Sequence, residues 1–232
     1  MLPKKCHVML AWLLCLSGLL STPVMAHGVD GADAAFMQQS DSGALSVWIY
    51  LGAKHMVTGY DHLLFLLGVI FFLYRLTDVA LYVSLFALGH SLTLLAGVLG
   101  DIRINPFLID AIIGLSIVYK ALDNLGAFQR WFGVRPDTRL AVLVFGLCHG
   151  FGLATKLQDF SLPEDGLVSK ILAFNVGVEL GQLCALGLML ALLNIWRGRG
   201  FSSRQAITGN ALLMIFGFLL TGYQLSGYML LP

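Results

Sequence analysis

The sequence predicts an all-α membrane protein, a polytopic helix bundle of about six transmembrane helices behind a cleaved signal peptide. Three observations predict it. Of the 232 residues, 58% are hydrophobic and 12% charged, with a mean hydropathy of +0.83; a soluble domain carries about 25% charged residues. The apolar residues gather in six segments long enough to cross a bilayer. The basic residues between them fall mainly on one side, as cytoplasmic loops require.

In chain order, Lys4 and Lys5 precede an apolar run over 8–20, and Val24 and Ala26 satisfy the −3 and −1 positions of a leader-peptidase site. Thirteen apolar residues are short for a span, so 1–26 reads as a signal peptide. Residues 27–44 read as an extracytoplasmic segment and 45–232 as the transmembrane domain. The first span is expected over 45–74, long enough to cross obliquely or to begin with an interfacial turn. The others are expected over 79–99, 106–125, 140–155, 171–196 and 206–225. Roughly 20 residues cross a hydrocarbon core of about 30 Å, and only helices satisfy their own backbone there. The many glycines suit close helix contact.

With the mature N-terminus outside, the cytoplasmic loops hold Arg75, Arg130, Arg135, Arg139, Arg197, Arg199 and Arg204. The opposing loops hold Arg103, Lys156 and Lys170. Leader and loop charge therefore agree, and the C-terminus is also placed outside. No basic nucleic-acid patch is present. Of four cysteines none forms a CxxC pair, so neither a zinc ribbon nor a disulfide framework is supported.

Ionisable side chains at the bilayer centre cost at least about 2.5–3.5 kcal/mol each. The spans nevertheless contain His55, Asp61, His62, His90, Asp110, Lys120, Asp123, His149 and Glu179. At about 1.5 Å per residue, His62, His90, His149 and Glu179 all arrive near mid-membrane. His55 and His62 are seven apart and share a helix face, with Gly59 between them. Asp61 is placed to support a ligating imidazole from the side, or to become a ligand itself if the helix kinks at Gly59. Asn175, Glu179 and Gln182 form one polar stripe.

Imidazole with carboxylate suits nickel, cobalt, zinc or copper rather than magnesium or calcium. Ser91, Asn175, Gln182 or a carboxylate are candidates to orient the ligating imidazoles. Plainer roles stand beside these: His90 and His149 as core histidines bonded to carbonyls, Glu179 as a protonated carboxyl, and Lys120 with Asp123 as a structural ion pair. Asp110, about one turn from the outer surface, is either an entrance residue or a solvated helix end.

The segment from Leu51 to Leu67, with His55, Gly59, Asp61 and His62, resembles the signature helix of the HupE/UreJ membrane proteins. So do Gly89-His90-Ser91, Asp110 with Ser116 and Asn124, Phe145 to Gly152 around His149, and Asn175 with Glu179 and Gln182. The segment 146–152 has one histidine where the hydrogenase-linked branch has two, so the likeness is to a more distant branch. The resemblance implies a permease of nickel or cobalt in a bacterial cytoplasmic membrane, with the metal as substrate. It implies metal ligands at His55, Asp61, His62, His90, His149 and Glu179.

Three functions are therefore expected, in this order. The first is a secondary permease for a divalent transition metal, and no Gly-x4-Gly-Lys-Ser/Thr loop makes the chain itself an ATPase. The second is an intramembrane metal-dependent hydrolase, which would need an open position on zinc and has no HExxH behind it. The third is a haem-binding electron carrier. The partners expected are the lipid bilayer and the metal ion, with no nucleic acid; self-association is left open.

Overall fold

The computed structural model describes residues 44–158, 166–198 and 200–230. The leader, its cleavage point and nearly all of the 27–44 segment lie outside the described residues. Eight helices and no strand occur among the described residues. They are α1 (Leu45–Thr58), α2 (Tyr60–Ile70), α3 (Leu76–Leu99), α4 (Pro106–Asn124), α5 (Ala127–Phe132), α6 (Thr138–Gln158), α7 (Leu167–Gly198) and α8 (Ser203–Leu230). The protein is an all-α membrane helix bundle.

Local chemistry sets the helix starts. Asn105 accepts a 3.0 Å hydrogen bond from the Phe107 N–H, with Pro106 in the first turn of α4. Asp137 caps α6 through the Arg139 N–H at 2.8 Å. Ser202 and Gln205 cap α8 reciprocally: the Ser202 N–H donates to Gln205 Oε1 at 2.9 Å, and the Gln205 N–H to Ser202 Oγ at 3.3 Å. Two glycines in the left-handed region, Gly126 and Gly133, bracket the short α5.

Four helices, α3, α6, α7 and α8, are long and apolar enough to cross a membrane. α4 has 19 residues and carries Asp110, Lys120 and Asp123. The first apolar segment is not one oblique helix: it breaks at Gly59, whose backbone is extended between α1 and α2 (φ −74°, ψ 102°).

The helices pack in three close pairs whose directions can be read from their glycines. Along α1 and α7, Gly177 lies on Ile49 and Gly181 on Ala53, so the two run parallel. Along α3 and α6, Gly146 lies on Phe86, Gly150 on His90 and Gly97 on Ala154, again parallel. Along α4 and α8, Gly114 meets Thr221 while Gly227 meets Phe107, which is antiparallel. In chain order these pairs join the apolar segments 1 and 5, 2 and 4, and 3 and 6. A chain that reverses between each of six crossings and the next requires this set of directions.

The glycines replace side chains that the seams cannot hold. A Cβ on Gly52 would enter the Phe174 carbonyl, and one on Gly177 the Ile49 carbonyl. Small residues let backbones approach where no hydrophobic effect drives association. The core between the pairs is built on Trp48, Phe65, Phe86 and Phe174, each at most 2% exposed. Leu88, Leu92, Leu172, Leu180, Leu188 and Phe218 point outward, the surface expected in lipid.

Candidate metal centre

The break at Gly59 builds the site. Beyond it α2 restarts with Asp61 in its first turn, where the positive end of the helix dipole favours a carboxylate. His62 follows, fully buried, and Asp61 is 2% exposed. A Cβ on Gly59 would run into His62 Nδ1 and stand 3.2 Å from Asp61 Oδ1. Only glycine leaves room for this fold-back.

α6 supplies the opposing group. His149 is fully buried, and its ring lies 4.6 Å from that of His62. Asp61, His62 and His149 each offer a ligand atom, all within 4.8 Å of one another. A carboxylate and a carbonyl can only accept. Asp61 Oδ1 therefore takes the Nδ1–H of His62 at 2.9 Å, and the Phe145 carbonyl takes the Nδ1–H of His149 at 2.7 Å. Neutral His62 and His149 then both carry their lone pair on Nε2. These are the oriented imidazoles a metal ligand needs.

The other expected residues stand around this group. His55, in the last turn of α1, is 5% exposed and meets the His62 ring edge-on at 5.1 Å. His90 is 1% exposed but stacks on Phe86 at 6.2 Å. Phe86 also contacts the His149 ring at 4.9 Å and the His62 ring at 6.2 Å. His90 therefore adjoins the ring cluster and lies outside the three-residue group. Glu179 is half-buried on α7 and also lies outside it.

Of the candidate orienting groups, the ones bonded to the imidazoles are a carboxylate and a carbonyl. Asn175 and Gln182 are buried on α7, and their side-chain atoms make no hydrogen bond among the described residues. Ser91 is half-buried. Its neighbour Thr93 instead ties α3 to α6, donating to the Leu147 carbonyl at 2.7 Å. The groups bonded to Nδ1 of His62 and His149 are Asp61 itself and the Phe145 carbonyl, the latter the bond that a core histidine at this position was expected to make.

Two ion pairs flank the centre. Asp110 of α4 pairs with Lys156 of α6 at 3.3 Å, and Lys120 pairs with Asp123 at 2.6 Å. Near Lys120, Asn124 donates to the Gly68 carbonyl at 2.8 Å and to Asn210 Oδ1 at 2.9 Å, joining α2, α4 and α8. Arg197, which sequence reading placed in a loop, is 8% exposed. Its guanidinium donates to the carbonyls of Ile70, Phe71 and Leu73 at the end of α2.

A family model described as HupE / UreJ protein matches residues 31–231. No curated protein and no solved structure matches the chain.

Proposed function

Because the chain belongs to the HupE/UreJ family, one associated with nickel and cobalt transport and not an enzyme family, we propose that it is a secondary permease for a divalent transition metal. Nickel or cobalt is the cargo that the family favours. The supporting observation is the buried convergence of Asp61, His62 and His149 from two helices, with ligand atoms within 4.8 Å. Two nitrogen donors and one carboxylate suit borderline divalent ions, and the carboxylate offsets part of the cation's charge.

In this reading the ion reaches the centre from the extracytoplasmic side and exchanges water for imidazole. Both protein termini are extracytoplasmic and the membrane is the cytoplasmic (inner) one. The broken helix α1–α2 serves as discontinuous helices do in transporters, exposing a helix terminus at mid-membrane. The membrane potential supplies about 2.3 kcal/mol per charge per 100 mV for inward movement. Ligation needs neutral imidazole, so protons compete with the metal.

Nickel uptake into cells lacking other nickel importers tests this. The His62→Ala/His149→Ala double variant, inserted in the membrane at normal level, is expected to lose uptake. Wild-type rates in that variant would refute the site.

A further inference from the structure

Phe145, His149, Gly152 and Lys156 lie on one face of α6, at i, i+4, i+7 and i+11. The contacts of that face agree. Phe145 touches Phe65 of α2 and Tyr119 of α4, His149 touches His62 of α2, and Gly152 packs on Ile109 of α4. Lys156 ends the stripe, about 10.5 Å along the axis from His149. Between them the Asp110 carboxylate reaches in from α4. A Cβ on Gly152 would stand 3.8 Å from Asp110 Oδ1, while Asp110 Oδ2 accepts from Lys156 Nζ at 3.3 Å. The Asp110 side chain is 5% exposed and that of Lys156 is 20% exposed. A nearly buried carboxylate thus stands one turn outward of the centre, held by an ammonium that itself reaches solvent.

We propose that Asp110 is a second cation subsite at the outer mouth, occupied at rest by the ammonium of Lys156, which an incoming divalent cation displaces. This rests on the permease reading above. Lys156 acts as a tethered substitute cation: it offsets the burial of Asp110 between ions and swings toward solvent when one arrives. Its positive charge also opposes the return of a cation from the centre.

Nickel bound per chain is measured by elemental analysis after equilibrium dialysis of the purified full-length protein. Lys156→Gln is expected to add one ion per chain. Lys156→Arg is expected to keep the wild-type count, and Asp110→Asn/Lys156→Gln to return to it. Equal counts in Lys156→Gln and Asp110→Asn/Lys156→Gln would overturn the proposal in favour of a purely structural tie between α4 and α6. His62→Ala/His149→Ala reports on the centre separately. If it binds as much nickel as wild type while Lys156→Gln still gains an ion, the central site fails and the outer one stands. Should Lys156→Gln not fold, uptake decides. Asp110→Asn leaves the ammonium alone in the mouth and is expected to slow nickel uptake about tenfold or more, with Lys156→Arg near wild type. Wild-type uptake in Asp110→Asn would then overturn the proposal.

Discussion

Asp61 carries two tasks, since its carboxylate accepts from His62 Nδ1–H and also belongs to the three-residue group with His149. Asp61→Asn keeps the shape but loses the charge and the certainty of an acceptor facing His62. Loss of such an orienting partner commonly costs about 10–100-fold in metal affinity. Nickel titration of the purified variant should show a weakening of that order; unchanged affinity would remove Asp61 from the site. Gly59 is the other decisive position. Gly59→Ala should push the His62 ring away from His149 and lower nickel affinity while leaving helix content by circular dichroism unchanged. The histidines and Asp61 could be picked out in the sequence because ionisable groups in apolar segments are costly. Their grouping could not, since counting along the spans puts His90 and Glu179 at a similar level and they lie outside the group.

At the scale of helices, the bundle depends on seams that exclude side chains and on the buried guanidinium of Arg197. Gly177→Leu would force the α1 and α7 backbones apart, because even a Cβ there enters the Ile49 carbonyl. Overpacking of this kind costs about 1–3 kcal/mol or more, and the expected result is a lower thermal midpoint in detergent. Arg197 closes the free carbonyls that end α2, a favourable place for a cation at a helix C-terminus. Arg197→Met should lower the thermal midpoint, since each buried acceptor left without a donor costs about 1–3 kcal/mol. It should leave the number of bound nickel ions unchanged. A fall in that number would make Arg197 part of the site. Hydropathy located the six apolar segments, yet it could not show the break in the first, because a glycine within an apolar run is as compatible with a continuous helix. Nor could it distinguish Arg197 from a loop arginine, because burial of a guanidinium depends on which carbonyls another helix leaves open.

For the whole molecule, two lines bear on topology: the loop charges on its orientation and the seams on the relative directions of the helices. The sequence puts seven basic residues at one set of segment ends and three at the other, with Arg197 of the seven buried on α7, and the parallel and antiparallel seams fit a chain that reverses five times between six crossings. A reporter active only outside the cytoplasm, fused after Pro232, should therefore be active, and one fused in the loop after α5 should be silent. The opposite pattern would invert the proposed route of the ion. The sequence by itself determined that the chain lives in a bilayer, that its segments are helices and which residues are too costly to be there without a use. Those properties are local, set by transfer energies and by the backbone's need to satisfy itself. Which helices run side by side, which imidazoles meet and which carboxylate an ammonium holds were decided only by tertiary structure. These depend on where backbones can touch, and in lipid that is settled by the fit of one helix surface against another.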